Sequence, residues 1–292
     1  MNAIEVRDLE KSYRNTGKKN EVKALLPATF QVNKSELFGI IGPDGSGKTT
    51  LFRILATLIL ADKGEAYIEG LDVVKNFREI RRLIGYMPGR FSLYQDLSVE
   101  ENLKFFASVF SSNIEENYYL IEDIYRQIEP FKTRRAGKLS GGMKQKLALC
   151  CALIHKPSVL LLDEPTTGVD PVSRKEFWQM LKRLQMHGIT IVVSTPYMDE
   201  ANLCERVMLM KDGKILDIES PSAVVGKYPR KLYSVKSDNI AQSLKILRAN
   251  PDVETAFSFG DSIHITFRND VKTIDAQPIS PSIEDYFMLL SH

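Results

Sequence analysis

The chain has 292 residues, of which 43% are hydrophobic and 26% are charged. These proportions are those of a folded globular protein and exclude a largely disordered chain. The 39 Lys and Arg residues against 37 Asp and Glu leave a net charge of +2, which excludes strong steering toward nucleic acid by bulk charge. The spacing of Cys150, Cys151 and Cys204 fits neither a disulfide framework nor a zinc cluster and indicates a reducing compartment.

No segment of the sequence is predicted to cross a membrane. The most apolar stretches, 54–61 and 147–154, are about eight residues long, whereas a bilayer-spanning helix needs roughly 20. The N-terminal residues mix acidic and apolar side chains and do not resemble a signal peptide. Any role at a membrane is therefore expected to depend on a partner.

Apolar strands alternate with amphipathic helices through the first 225 residues. This alternation predicts an α/β domain with a mostly parallel sheet covered by helices on both faces. A polar turn is predicted at 14–20. The predicted strands are 3–8, 28–41 (with an apolar end at 37–41), 159–162 and 189–194, and the predicted helices are 51–60, 98–130, 141–155 and 171–187.

The pattern changes after about residue 225, which predicts a second, smaller domain over 226–292. Its predicted strands and helices are a strand at 232–237, a helix at 239–249, a hairpin of 253–259 and 262–267 across Gly260-Asp261, and a helix at 281–290. This order predicts a small α+β extension.

A glycine-rich motif, Gly42-x-x-x-x-Gly47-Lys48-Thr49, lies between the predicted strand at 37–41 and the following helix. Backbone N–H groups of such a loop at a helix N-terminus bind polyphosphate. In this reading Lys48 places its charge on the β- and γ-phosphates and the Thr49 hydroxyl completes Mg²⁺ coordination. The candidate nucleotide-binding residues are Gly42, Pro43, Asp44, Gly45, Ser46, Gly47, Lys48, Thr49 and Thr50.

Two carboxylates follow the apolar strand predicted at 159–162. Asp163 ends the strand and is predicted to bind the metal. Glu164 comes one residue later, where it can polarise a water molecule for attack on the γ-phosphate. Glu164 and Lys48 are the candidate catalytic residues, and Thr49 and Asp163 are the candidate metal ligands.

A second glycine-containing loop, Ser140-Gly141-Gly142, begins the helix predicted at 141–155. Ser140 is a suitable N-cap, and the exposed N–H groups behind it can bind an anion. Because the chain already has its own phosphate loop, the phosphate bound here is expected to belong to another subunit's nucleotide.

The order of these motifs resembles that of the nucleotide-binding subunits of ATP-binding cassette (ABC) transporters. Residues 42–50 resemble the Walker A motif, 139–143 the signature, 159–164 Walker B and 168–171 the D-loop. The resemblance covers about residues 1–225. It implies a P-loop NTPase cassette with a mixed β-sheet, helices on both faces and a helical signature subdomain at about 92–155. It also implies ATP and Mg²⁺ as ligands.

In this family two subunits enclose two ATP molecules, and each site combines one chain's Walker motifs with the other chain's signature. The resemblance therefore implies a second ATP-binding subunit, whose nucleotide is contacted in trans by Ser140, Gly141 and Gly142. It also implies a transmembrane permease, a cytoplasmic position on the inner face of the cell membrane, and no nucleic-acid partner. Tyr13 falls where the family's adenine-stacking aromatic residue is expected.

Segments 91–103 and 281–287 resemble the branch of the family that works with export-type permeases, often called the drug-export or polysaccharide-export group. In the family, the helical subdomain receives the permease's coupling helix beside the loop that contains Gly89. Phe105, Phe106 and Phe110 have helical spacing and are predicted to form the core of this subdomain rather than a docking groove.

Two positions depart from the family pattern. The chain has Gly89 where the family has a glutamine that contacts Mg²⁺ and the attacking water, and Pro196 where the family has a histidine that contacts the γ-phosphate. A hydrogen bond to a charged group contributes about 1.5–3 kcal/mol, so if the family's histidine serves the transition state, its loss is expected to slow hydrolysis roughly 10- to 150-fold. We therefore expect that ATP is hydrolysed slowly at the site formed by this chain's Walker motifs. The site formed by another subunit's Walker motifs and this chain's signature is expected to be competent.

Three alternatives remain at this point. One is a homodimer that hydrolyses ATP slowly through Glu164 alone. Another is a soluble ABC ATPase acting on ribosomes or DNA, although the basic stretch 132–138 is more typical of a solvated helix end. The third is a regulatory module that binds ATP and rarely cleaves it, which Gly89 and Pro196 favour.

Overall fold

The computed structural model describes residues 1–14, 21–90, 92–269 and 274–291. The turn predicted at 14–20 lies outside the described residues, except for Arg14. Phe91, the first residue of the segment 91–103 that resembles the export branch, also lies outside them. The chain divides into two compact units, Met1–Ile218 and Glu219–His292.

The first unit contains two sheets and six helices, together with three short 3-10 turns at Glu129–Phe131, Ala136–Lys138 and Met198–Leu203, within the residues described. Its strands are β1 (Asn2–Arg14), β2 (Glu21–Asn33), β3 (Leu37–Ile41), β4 (Lys63–Ile68), β5 (Leu71–Asp72), β6 (Ile84–Met87), β7 (Val159–Asp163), β8 (Thr190–Thr195), β9 (Arg206–Lys211) and β10 (Lys214–Glu219). Its helices are α1 (Lys48–Leu55), α2 (Phe77–Leu83), α3 (Val99–Val109), α4 (Ile114–Tyr125), α5 (Gly141–Leu153) and α6 (Pro171–Met186).

The central sheet has the strand order β10-β9-β3-β8-β7-β6, and β3 pairs in parallel with β8 and β9, as β7 does with β6 and β8. Every residue of β3, β7 and β8 is buried, which explains why these strands are continuous apolar runs in the sequence. Because parallel strands end at the same edge of a sheet, the residues after Ile41, Asp163 and Thr195 meet there.

A second sheet, with the order β2-β1-β4-β5, is antiparallel throughout. One core cluster contains residues of both sheets and of α1 between them, including Phe38, Phe52 and Ile68, each with no exposed surface. The first unit is therefore a mixed α/β domain, as the sequence predicts, in which a parallel sheet carries the site and an antiparallel sheet packs beside it.

Three predicted segments are interrupted in the structure, and in each case a residue with left-handed backbone accounts for the break. The strand predicted at 28–41 is two strands because Ser35 has φ 58°. The helix predicted at 98–130 divides into α3 and α4 at Ser111, with φ 51°. The helix predicted at 51–60 begins earlier, at Lys48, and ends at Leu55, before Thr57 with φ 59°. Left-handed backbone is uncommon for residues other than glycine and carries no sequence signal at these positions.

The second unit is a four-stranded antiparallel sheet with three helices in the part described. Its strands β11 (Leu232–Lys236), β12 (Val253–Phe259), β13 (Ser262–Phe267) and β14 (Gln277–Ile279) have the order β12-β13-β11-β14, and its helices are α7 (Pro221–Gly226), α8 (Ile240–Ala249) and α9 (Ile283–Leu290). The hairpin at 253–259 and 262–267 is confirmed residue for residue, and the α+β class of this unit is confirmed. Among the described residues no helix is both long and apolar enough to cross a bilayer.

Asn102 on α3 is a buried polar residue that holds the preceding loop in place. Its Nδ2 donates to the carbonyl oxygens of Tyr94 (3.0 Å), Leu97 (3.3 Å) and Ser98 (2.9 Å), and its Oδ1 accepts from the N–H of Tyr94 (3.1 Å). The side chain has no exposed surface. Asn102 therefore supplies partners to several backbone groups of the loop 94–98 at once.

We expect Asn102→Ala to lower the free energy of unfolding by about 1–3 kcal/mol, because backbone groups of the loop 94–98 lose the partners that this buried side chain supplies. Urea denaturation followed by circular dichroism measures the change. Gln127→Ala is the matched control, since Gln127 makes one exposed hydrogen bond to the carbonyl oxygen of Asp123 (3.1 Å) and its loss is expected to change stability by less than about 0.5 kcal/mol. Equal stability of the two variants would contradict the role given to Asn102.

Candidate functional site

The glycine-rich loop at 42–47 runs from the end of β3 into the start of α1. The N–H of Gly42 donates to the carbonyl oxygen of Thr195 on β8 (3.3 Å), and the N–H of Ser46 donates to that of Pro43 (3.2 Å). The loop is thus fastened to the central sheet and curled on itself. Its curl ends at the N-terminus of α1, where N–H groups and the helix dipole favour an anion.

Two glycines of this loop have no room for a side chain. A Cβ at Gly42 would lie 2.2 Å from the carbonyl oxygen of Met210, and a Cβ at Gly47 would lie 2.3 Å from that of Ala24. Gly47 also has φ 101°, which L side chains rarely adopt. Gly45 has φ 79° but faces open space. Gly42 and Gly47 are therefore required because other backbone approaches them closely, and Gly47 is also required by its positive φ.

Lys48 is buried at the centre of the loop. Its side chain is 2% exposed, and Nζ donates to the carbonyl oxygens of Gly42 (2.8 Å) and Pro43 (3.0 Å). Glu164 Oε1 lies 3.4 Å from the same Nζ. The structure thus brings together the two residues that the sequence predicts to be catalytic, one on α1 and one after β7.

Asp163 ends β7 and is 2% exposed. Its Oδ1 accepts a hydrogen bond from Ser194 Oγ at 2.7 Å. Glu164, the next residue, has left-handed backbone with φ 50°. Burial, and next the negative charge of Asp163, raise the pKa of the nearby Tyr86 hydroxyl to about 12, so that this phenol stays protonated and neutral beside the carboxylate.

Tyr13, predicted to stack on the nucleotide base, lies near the end of β1. Its hydroxyl is 3.4 Å from Thr50 Oγ1, and its side chain is 39% exposed. Lys11 Nζ lies 5.8 Å from the centre of its ring. The ring is therefore an exposed aromatic surface next to the first turn of α1, where Thr49 is partly exposed.

The loop 140–142 begins α5, and Ser140 Oγ accepts from the N–H of Met143 (3.4 Å) as the predicted N-cap. Ser140 and Gly141 are exposed. Within the described residues, no hydrogen bond or ion pair joins this loop to residues 42–50. Gly142 lies against the start of α6, since a Cβ there would be 3.0 Å from Ser173 Oγ.

Both departures from the family pattern border this edge of the sheet. Gly89 lies against the end of β7, because a Cβ there would be 3.1 Å from the carbonyl oxygen of Asp163 and 3.7 Å from Glu164 Cβ. Pro196 follows Thr195, whose Oγ1 accepts from the N–H of Tyr197 (3.0 Å). A glutamine at 89 would need a shift of a few tenths of an ångström, whereas proline at 196 supplies neither a side-chain nor a backbone donor.

An apolar cavity of about 470 Å³ opens beside the segment 86–88 that precedes Gly89. It is lined mainly by carbon, with residues of β6, α3, α5 and the adjoining loops that include Leu58, Tyr86, Met87, Pro88, Leu93, Phe106, Phe110, Ala148, Cys151 and His155. The prediction that the three phenylalanines form the subdomain core is wrong in part. Phe105 is 37% exposed, and Phe106 and Phe110 line the cavity, while Val99, Leu103 and Ala107 supply the buried face of α3.

Ser194 contacts the acidic residues, although the sequence analysis gives it no role. It pairs with Asp163 across β7 and β8 and has no exposed surface. A serine at the end of an apolar strand has no distinctive pattern, and its importance depends on the register of two strands that are 31 residues apart in sequence. Only the structure supplies that register.

Comparisons of this chain with a family profile, with known protein sequences and with solved structures agree with one another. The ABC transporter family profile matches residues 25–167. The chain is 37% identical over 300 aligned positions to the probable multidrug ABC transporter ATP-binding protein YbhF of Escherichia coli, covering 98% of this chain and 51% of that protein. It therefore spans about half the length of that relative.

A second relative, the Nod factor export ATP-binding protein I of a Rhizobium species, is 36% identical over 229 positions, covering 77% of this chain and 73% of that protein. Among solved structures, the dimeric post-hydrolysis state of the ATP-binding cassette MJ0796, bound to ADP and Pi, is similar with a TM-score of 0.67 and 28% identity. That match covers 74% of this chain and 98% of the cassette.

The glycine geometry predicts different effects of two neighbouring substitutions. Gly47→Ala should abolish measurable ATP binding, because a methyl group would meet the carbonyl oxygen of Ala24 and displace the loop. Gly45→Ala, the matched control with similar backbone but open surroundings, should weaken binding by roughly fivefold or less, which corresponds to about 1 kcal/mol of backbone strain. Fluorescence titration with a labelled ATP analogue measures both, and equal losses would contradict the account.

Proposed function

This chain belongs to the ABC transporter family of ATP-binding proteins, and we propose that it binds Mg·ATP and powers an export-type permease through ATP-driven pairing. The observation that carries the proposal is the meeting of Lys48, Asp163 and Glu164 at one edge of the parallel sheet, with Lys48 Nζ 3.4 Å from Glu164 Oε1. A cation and two carboxylates at the mouth of a phosphate loop are what phosphoryl transfer to water requires.

The proposed nucleotide site uses Tyr13 for the base and residues 42–50 for the phosphates. Two carbonyl oxygens and Glu164 hold Lys48 Nζ, at distances of 2.8–3.4 Å. The γ-phosphate of ATP carries more negative charge than the two carbonyl oxygens and the Glu164 carboxylate together. We therefore expect the Lys48 ammonium group to bind the γ-phosphate in preference to these three groups. Glu164 is then free to accept a proton from the attacking water.

The residues present fit a magnesium ion that arrives with the nucleotide. Thr49 and Asp163 offer a hydroxyl and a carboxylate, which are oxygen ligands, and Mg²⁺ is commonly bound by one or two such groups together with substrate phosphates. In the described residues no group of three or more His, Cys, Asp and Glu side chains could hold a metal by itself. When bound, the ion neutralises charge on the β- and γ-phosphate oxygens.

The proposed pairing gives the loop 140–142 its role. Ser140, Gly141 and Gly142 would complete the nucleotide site of a second ATP-binding subunit, and the exposure of Ser140 and Gly141 supports this role. Gly89 and Pro196 stand where the family has a glutamine and a histidine, so this chain's own site lacks both side chains. We therefore propose that this site hydrolyses ATP slowly. The competent site would be the one formed on the other subunit.

The apolar cavity beside residues 86–88 is the proposed docking place for the permease. In the family the coupling helix of the permease enters at the loop that contains Gly89, and the cavity lies next to it. Its carbon-rich lining, including Phe106 and Phe110, suits an apolar helix and offers little to nucleic acid. Binding to such a permease would place the chain peripherally on the inner face of the cell membrane.

The asymmetric arrangement predicts the effect of restoring the two missing side chains. The purified chain alone should hydrolyse ATP slowly, and Gly89→Gln combined with Pro196→His should raise kcat roughly 10- to 150-fold, because a hydrogen bond to the γ-phosphate is regained. Gly89→Gln combined with Pro196→Ala is the matched control, since it removes the proline ring without adding an imidazole. Steady-state phosphate release measures kcat for each variant.

Two outcomes of this assay would contradict the asymmetric arrangement. Brisk hydrolysis by the unmodified chain that Glu164→Gln abolishes would show that its own site is already competent. No gain from the double variant would show that Gly89 and Pro196 do not limit turnover. Trapped, unhydrolysed ATP with slow release would instead favour the regulatory module that binds ATP and rarely cleaves it.

A further inference from the structure

One buried hydroxyl connects the two acidic residues of the proposed site. Ser194 Oγ donates to Asp163 Oδ1 at 2.7 Å and accepts from the N–H of Glu164 at 2.9 Å. The N–H of Glu164 also lies 3.2 Å from the carbonyl oxygen of Ser194. Because a serine hydroxyl has one proton to donate and the N–H of Glu164 cannot accept it, these roles are fixed by the geometry.

The first consequence concerns the carboxylate of Asp163. Ser194 Oγ supplies the one hydrogen bond that Asp163 Oδ1 receives within the described residues, and Oδ2 receives none there. The residue Asp163 is 2% exposed and Ser194 has no exposed surface, so this hydrogen bond is a buried one. The hydroxyl therefore sets the rotation of the carboxylate and leaves Oδ2 as the oxygen available to a cation.

The second consequence concerns the backbone of Glu164. Its φ of 50° is unfavourable for a residue with a side chain. The N–H of Glu164 is held by both the hydroxyl and the carbonyl oxygen of Ser194, which stabilises this conformation. The conformation in turn places the carboxylate of Glu164 within 3.4 Å of Lys48 Nζ.

We propose that Ser194 is a positioning residue of the ATP site. Its hydroxyl orients Asp163 toward the metal that accompanies the nucleotide and holds Glu164 in the backbone conformation from which it reaches the phosphate loop. This inference rests on the proposed function, because it assigns to Ser194 a role in the same Mg·ATP site.

The same strand supplies a hydroxyl with a purely structural role. Thr190 begins β8, is 1% exposed, and accepts a hydrogen bond from the N–H of Ser35 at 2.9 Å. Ser194 and Thr190 therefore have similar burial and belong to the same strand, but only Ser194 contacts the acidic residues. Thr190→Val removes a buried hydroxyl without changing the shape of the side chain and is the matched control for Ser194→Ala.

The test is calorimetric titration of the full-length chain with ATP, once in excess Mg²⁺ and once in EDTA. The unmodified chain should bind ATP more tightly with Mg²⁺ than without it. Ser194→Ala should reduce this metal-dependent gain by about tenfold or more, which is the low end for loss of a hydrogen bond to a charged group. Its affinity in EDTA should fall by a smaller factor than its affinity in Mg²⁺, because residues 42–50, which are proposed to hold the phosphates, are unchanged in this variant.

Two further variants separate positioning from general destabilisation. Ser194→Thr keeps the hydroxyl and should restore most of the metal-dependent gain, and Thr190→Val should keep all of it whatever its effect on thermal stability. A full metal-dependent gain in Ser194→Ala, or an equal loss in Thr190→Val, would overturn the positioning role alone. An unmodified chain that binds no ATP under either condition would overturn the proposed function and this role together.

Discussion

The parallel pairing of β8 with both β3 and β7 is the constraint on which the site depends. It places the ends of β3, β7 and β8 side by side, so that Gly42 is bonded to Thr195 and Asp163 to Ser194. Parallel strands in register cannot shift singly without moving buried side chains out of the core. The phosphate loop, the acidic pair and the two departures at positions 89 and 196 are therefore fixed relative to each other by a buried sheet.

The main features of this arrangement could be predicted from the sequence. The buried strands of the central sheet are continuous apolar runs, the phosphate loop has a specific spacing, and the hairpin of the second unit carries a Gly-Asp turn. In each case the local sequence determines the local structure. The acidic residues at 163 and 164 were recognisable because they follow such a strand.

The features that could not be predicted depend on distant contacts. Ser35, Ser111 and Thr57 adopt left-handed backbone that no sequence pattern at those positions indicates. Asn102 and Ser194 act through partners that only the folded chain brings near. Phe105, Phe106 and Phe110 have core-like spacing, but whether a helical face is covered depends on what packs against it. Phe106 and Phe110 border an open cavity.

The proposed effect of Gly89 and Pro196 concerns hydrolysis, whereas the residues proposed to bind the nucleotide, 42–50 and Asp163, keep the residue types of the family motifs. The central claim is that the chain binds Mg·ATP through its own phosphate loop and that Lys48 is the main positively charged side chain that contacts the phosphates. Calorimetric titration of the unmodified chain and of Lys48→Ala with Mg·ATP tests it most directly. The account predicts one saturable site whose affinity falls roughly 10- to 150-fold on substitution. Absence of binding, or an affinity that Lys48→Ala leaves unchanged, would contradict it.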